Sequence, residues 1–324
     1  MRKILLATLS NKERFGSFKV VLISLGIIIL LISITNVSNI NLLSAFNVKV
    51  LLGFFISQVA LLLYSLRFRL IMKSTGIRLK VIDALKINTF AVFYHFFTPL
   101  SIGADLTKFI KLKKNHDSAG HRITSIIFDH VVGICSLLVL STFLFILRKP
   151  ELGQLGLRES LSLLSTAACA LIIMVIIFRK DIKKNYKKML LNIKGNWSLV
   201  FVAFCFSIIM HVTLAAGIFV GSHGIGVNIP YIDILFVLSL SMILQSVPLS
   251  ILGVGATEVA SAAIYTAIGL PMTTALLLVA LLYTYRLITS VAGGIWQLLE
   301  NNDAYYSSQT VSYTHLTLPT ILLV

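Results

Sequence analysis

The sequence predicts an all-α polytopic membrane protein with about six full spans and two re-entrant broken-helix hairpins arranged as an inverted repeat. Three observations carry this: the composition, the lengths of the apolar runs, and a motif that occurs twice. Of 324 residues, 57% are apolar and only 12% charged, with a mean hydropathy of +0.93. A soluble domain carries about 25% charged residues, so this chain has too little polar surface to face water all round. Nucleic-acid-binding folds, Rossmann enzymes and secreted disulfide scaffolds are poor candidates despite the formal charge of +16, and no nucleic acid is expected as a partner. Cys135, Cys169 and Cys205 each lie in an apolar run. They read as small core residues and supply neither a disulfide framework nor a zinc site.

Runs of about 17 to 25 apolar residues can cross the hydrocarbon as helices. They fall at 19–38, 50–66, 123–147, 160–178, 197–220 and 273–298. The first is too internal for a cleaved signal peptide. Short cytoplasmic loops accumulate Lys and Arg, and the loops within 1–19, 67–80, 108–122 and 179–194 hold almost all the basic loop residues. Lys49, Arg148, Lys149 and Arg158 fall on the other side. This places the N-terminus in the cytoplasm of a multi-pass plasma-membrane protein. Two further apolar stretches, 82–112 and 231–269, are broken in the middle by Pro and Gly. The charge rule puts both flanks of the first on the cytoplasmic side, so it enters and leaves by one face. The second then dips in from the opposite face.

The two breaks resemble each other. Pro99-Leu100-Ser101-Ile102-Gly103-Ala104-Asp105 matches Pro248-Leu249-Ser250-Ile251, followed by Gly253, Gly255 and Glu258. Both read PLSI, then glycine, then an acid, at corresponding places in two halves of opposite predicted orientation. That is the inverted-repeat pattern in which paired broken helices build a binding site. Proline removes a backbone donor, glycine opens left-handed dihedrals, and the freed groups need a protein or polar-cavity partner. A helix beginning after such a break offers a partly positive N-terminus suited to an anionic group such as a lipid phosphate. Ser101 and Ser250 add hydroxyl donors.

Ionisable residues in apolar segments are Lys86, Asp105, Asp129, Asp233, Glu258 and Arg286. A charge at a helix centre in the bilayer costs about 2.5–3.5 kcal/mol or more, so these side chains should face the protein interior. Glu258 and Arg286 are expected to pair or to line the cavity together. Asp83 and Lys86, three apart, read as a local pair. Arg67, Arg69, Lys108 and Lys111 read as cationic anchors at the cytoplasmic face, available to lipid phosphates. His95, just ahead of the first break, reads as a packed, hydrogen-bonded histidine. His130 and His211 read as isolated within helices, and no residues stand at metal-ligand spacing, so neither metal nor cofactor is expected.

The segments FFTPLSIGADLTKFIKLKK, IIFDHVVG, VPLSILGVGATEVASAAIYTAIGLP and VAGGIWQLL resemble, in order, motifs of the lysylphosphatidylglycerol synthase transmembrane family of flippase-like membrane proteins. The resemblance covers about residues 17–299. It implies a helical membrane domain with re-entrant helices and, in the family's best understood members, movement of a modified phospholipid between leaflets. It implies functional roles for Pro99, Gly103, Asp105, Lys108, Asp129, Pro248, Gly253, Gly255 and Glu258. The chain departs from it by having His130 after Asp129, and Thr257 before Glu258, where the family often has arginine.

Residues 1–299 are read as the transmembrane domain and 300–324 as a tail, of which 311–324 reads as non-native. No aminoacyl-transferring domain is expected after residue 299, which argues against synthase activity. The expected function is translocation of an anionic or glycosylated lipid. The alternative is a membrane-embedded transferase, or an accessory subunit for glycosyltransfer on a polyprenyl-phosphate lipid. A lipid-modifying enzyme or glycosyltransferase, or a second copy of the chain, is the expected protein partner. The expected binding set is Pro99, Ser101, Gly103, Asp105, Lys108, Asp129, Pro248, Ser250, Gly253, Gly255, Glu258 and Arg286.

Overall fold

The computed structural model of the chain describes residues 47–97, 102–114, 118–148, 193, 195–245, 250–251 and 254–317. The expected spans at 19–38 and 160–178, and Pro99, Ser101, Pro248 and Gly253, lie outside these residues. The described elements are α1 (Val48–Thr75), α2 (Val81–Phe97), α3 (Ile102–Lys111) with a 3-10 turn (Leu112–Lys114), and α4 (Ala119–Arg148). They continue with α5 (Trp197–Gly224), α6 (Tyr231–Gln245), β1 (Ser250–Ile251), β2 (Val254–Gly255), α7 (Ala256–Ala267) and α8 (Met272–Thr317). Among the described residues four helices are long and apolar enough to cross a membrane: α1, α4, α5 and the Met272–Glu300 part of α8. The protein is a polytopic helical membrane protein.

The order of elements repeats. A 28-residue helix is followed by two shorter helices around a break and then a long helix, first as α1 to α4 and again as α5 to α8. Helix α1 starts at Asn47, whose side chain accepts the Lys49 N–H at 2.9 Å. It stops at Gly76, where φ is 100° and the Ile77 N–H reaches back to the Met72 carbonyl at 2.8 Å; the left-handed cap satisfies carbonyls that the helix end would orphan.

Each broken element is a hairpin. Leu112, just past α3, shares a buried cluster with Ala84 and Ile87 near the start of α2, so α3 returns to the side from which α2 came. Likewise Ile264 and Tyr265, near the end of α7, pack with Ile234 and Leu235 near the start of α6. The second break differs from a simple unwound helix, because β1 and β2 form a short antiparallel ladder pairing Ser250 with Gly255 and Ile251 with Val254. The ladder satisfies backbone groups that the break would leave bare.

The halves meet in antiparallel contact between α1 and α5. Gly217 of α5 lies so close to α1 that a Cβ there would stand 2.7 Å from the Gly53 carbonyl oxygen and 3.1 Å from the Ser57 nitrogen. At the other end Phe68 of α1 shares a cluster with Val200 and Ala203. Small residues let helix backbones approach where the hydrophobic effect gives no driving force between apolar surfaces. The middle of α8 packs on α2 in the same manner, Gly293 against Thr89 and Gly294 against the Phe93 ring, and Gln297 donates to the Tyr94 hydroxyl at 2.9 Å.

Two local expectations change. Lys86 does not pair with Asp83; its ammonium reaches Glu300 Oε1 at 3.3 Å and lies 5.8 Å from the Trp296 ring centroid, because the packing of α2 on α8 brings that acid closer. Cys135 is exposed on a face of α4 shared with Val139, Phe143 and Ile146, an apolar surface suited to lipid or neighbouring helices and not to a core. Beyond Glu300 the backbone of α8 continues helically to Thr317.

Gly217→Leu should separate α1 from α5 and lower the thermal unfolding midpoint of the purified protein. The expected loss is about 1–3 kcal/mol or more from overpacking; an unchanged midpoint would mean that the seam is loose.

Candidate functional site

The polar groups converge in two linked clusters where the hairpins face the long helices. The first is centred on Asp129, fully buried on α4. Arg67 of α1 reaches its Oδ1 through Nη2 at 2.5 Å, and donates through Nη1 to Ser207 Oγ of α5 at 3.1 Å. Lys108 of α3 stands 3.7 Å from Asp129 Oδ2 and bonds the Tyr64 hydroxyl of α1 at 2.8 Å. Four helices, two from contact between the halves, therefore supply one cluster. Both cations also lie over the Tyr64 ring, at 5.0 Å for Arg67 and 5.3 Å for Lys108, and such contacts strengthen as water is removed.

Space for the Arg67 guanidinium comes from Gly133, one turn beyond Asp129. A Cβ at 133 would lie 2.8 Å from Arg67 Nη1. A flexible arginine tip could ordinarily step aside, but this one is fixed by Asp129 and Ser207.

The second cluster joins the two hairpins. Arg286, midway along the spanning part of α8, donates through Nη1 to Glu258 Oε1 in the first turn of α7 at 3.0 Å. Its Nη2 contacts His95 Nε2, near the end of α2, at 3.1 Å. A guanidinium only donates, so His95 accepts with Nε2 and is the neutral tautomer protonated at Nδ1. One arginine thus holds the inner ends of both hairpins.

Between the clusters lies the pair Asp105–His130, Oδ1 to Nε2 at 2.9 Å, with side chains 47% and 36% exposed. Arg67, Lys108 and Asp129 are at most 4% exposed. The accessible part of the polar core is therefore an acid and an imidazole, together with Arg286 at 20% and Glu258 at 11% side-chain exposure.

The expected binding residues divide accordingly. The structure brings together Asp105, Lys108, Asp129, Glu258 and Arg286, with Gly103 buried at the start of α3, where its carbonyl accepts the Thr107 hydroxyl at 2.7 Å. Ser250 and Gly255 face each other in the ladder. Arg67 and Lys108 are not free phosphate anchors: both are buried and neutralised internally. Arg69 instead donates to the Leu79 carbonyl at 3.0 Å, and Lys111 lies 4.7 Å from the Phe90 ring centroid. His130 is not isolated, since it meets Asp105.

Sequence reasoning missed Tyr64, Ser207 and the depth of Arg67. The signal for Arg67 was present: an apolar, serine-punctuated pattern continues past it to Thr75, and α1 follows that pattern. His211, one turn from Ser207 on α5, is buried, and neither ring nitrogen is hydrogen-bonded among the described residues. Among the described residues no group of three His, Cys, Asp or Glu could hold a metal ion.

A family model described as the lysylphosphatidylglycerol synthase TM region matches residues 18–294. No curated protein matches, and no solved structure does.

Arg67→Met should cost about 3–5 kcal/mol by removing the direct cationic partner of a buried carboxylate, leaving Lys108 at 3.7 Å as its remaining counter-charge, read as a lower unfolding midpoint. Arg67→Met combined with Asp129→Leu should recover part of that loss. A double variant as unstable as the sum of the single ones would show that the two side chains act independently.

Proposed function

The chain belongs to the lysylphosphatidylglycerol synthase TM region family, and from that premise we propose that it translocates a phospholipid or lipid-linked sugar between leaflets. The headgroup follows the polar core and the acyl or prenyl tail stays in lipid. The observation that carries this reading is Arg286, which contacts Glu258 of one hairpin and His95 of the other. Two hairpins inserted from opposite sides and joined by one arginine make a polar route with an entrance toward each face. The half-exposed Asp105 and His130 and the partly exposed Arg286 and Glu258 are the groups a headgroup would meet. Arg67, Lys108 and Asp129 hold α1, α3 and α4 in register behind them.

The basic loops set the orientation in this proposal. The α2–α3 hairpin opens to the cytoplasm, the α6–α7 hairpin opens outside, and the protein resides in the plasma membrane with its N-terminus inside. The cargo is an anionic or glycosylated lipid.

A second reading rests on the Asp105–His130 contact, which is the geometry of a carboxylate-oriented base and would suit transfer to or from a polyprenyl-phosphate lipid. The two readings differ in the product: translocation leaves the lipid chemically unchanged, whereas transfer alters its mass.

The test is headgroup accessibility in vesicles that contain the purified protein and a fluorescent-headgroup lipid, with extraction and mass spectrometry of the lipid afterwards. Acceleration of leaflet exchange with unaltered lipid is expected. Glu258→Gln and Arg286→Ala should each weaken the route by about 2 kcal/mol or more, a rate loss of roughly thirtyfold or more, while the protein remains folded. Full exchange rates in both variants would remove the arginine bridge from the route.

A further inference from the structure

The charges of the polar core balance. Arg67, Lys108 and Arg286 are matched by Asp105, Asp129 and Glu258, joined through the contacts Arg67–Asp129, Lys108–Asp129 and Arg286–Glu258. Asp105 carries the third negative charge and bonds His130. His95 is fixed as a neutral acceptor by Arg286. With His130 neutral, this set has no net charge. An anionic phosphodiester entering it would leave one uncompensated negative charge in a low-dielectric interior, which desolvation penalises.

Uptake of one proton by this set removes that cost. Protonating Asp129 or Glu258 would forfeit an ion pair. Protonating His95 would set an imidazolium 3.1 Å from a guanidinium nitrogen. His211 on α5 is buried, has no hydrogen-bond partner among the described residues on either nitrogen and stands within electrostatic reach of Arg67. His130 differs from all of these: its Nε2 is 2.9 Å from a carboxylate oxygen, and the side chain is 36% exposed.

The charged groups next to His130 are Asp105 of α3, bonded to it, and Asp129, its neighbour on α4; behind these stand Lys108 and Arg67 against Asp129, Tyr64 against Lys108, His95 within electrostatic reach of Asp105, and His211 within reach of Arg67. Histidine is the side chain suited to taking up a proton near neutral pH.

We propose that His130, backed by Asp105, is a proton-binding site through which the polar core takes an anionic phosphodiester headgroup together with one proton. A proton given up by the acid form of the aqueous buffer adds to Nδ1, leaving the buffer's conjugate base in solution, while Nε2–H stays bonded to Asp105 Oδ1. The imidazolium formed offsets the phosphodiester charge, so that headgroup and proton enter as a neutral unit. This rests on the translocation reading for its biological sense. Its chemistry is a binding equilibrium that can be measured without transport.

The experiment is calorimetric titration of dihexanoyl-phosphatidylglycerol, kept below its micelle concentration, into the full chain in nanodiscs. Two buffers of different ionisation enthalpy at about neutral pH report the protons exchanged. The expected result is uptake of about one proton per lipid bound, and none with the zwitterionic dihexanoyl-phosphatidylcholine. His130→Gln should bind the anionic lipid more weakly and without uptake. His130→Arg, which carries the charge permanently, should bind it without uptake and without the loss of affinity.

Failure of the anionic lipid to bind, binding without proton uptake by the native chain, or uptake that persists in both variants would each overturn the proposal. Proton-linked binding in a protein that never moves the lipid between leaflets would sustain the proton site and remove the translocation reading.

Discussion

A polar group without a partner in hydrocarbon costs several kcal/mol, and that constraint organises the described residues. Two helices are broken inside an apolar protein, and at the second break the freed backbone pairs with itself as β1 and β2. Every carboxylate and cation of the polar core has an opposite charge, a ring or a neutral acceptor against it. The balance of three cations against three carboxylates follows from the same rule. The core tolerates charge in the membrane because the charges answer one another across helices distant in sequence.

The two halves share an order of elements but not a chemistry. In the first half Asp129 and Lys108 are sealed behind Asp105, and Arg67 closes the cluster from α1. In the second half the acid Glu258 is met by Arg286 from the last long helix, and that arginine also reaches across to the first hairpin. A strictly symmetric pair of hairpins would present equal faces to a cargo. This pair presents an acid–imidazole couple on one side and an arginine–acid bridge on the other.

Much of the fold was legible because membrane physics leaves few choices. The runs at 50–66, 123–147, 197–220 and 273–298 correspond to α1, α4, α5 and the spanning part of α8, since an apolar run of sufficient length has only a helix available to it. The breaks were legible from Pro and Gly. What was hidden depends on contacts between distant elements. Arg67 looked like the end of a span because it is charged, yet α1 continues about two turns beyond it, which places the guanidinium inside. Lys86 was assigned to Asp83 by spacing along one helix, while packing of α2 on α8 gave it Glu300. His130 looked solitary because Asp105 lies on a different helix, and no periodicity within α4 reports which side chain α3 will lay against it. The pairing of Glu258 with Arg286 was readable because two opposite charges on adjacent apolar elements have little else to meet.

Gly133 ties inheritance to geometry. The guanidinium of Arg67 occupies the volume that any larger residue at 133 would claim, and its bonds to Asp129 and Ser207 prevent it from yielding. Evolution can therefore alter this corner only by concerted steps: a side chain gained at position 133 demands a shorter or differently aimed residue at 67, and that in turn strands an acid at 129. Descendants of this chain should carry the glycine, the arginine and the aspartate as one heritable unit, or lose all three.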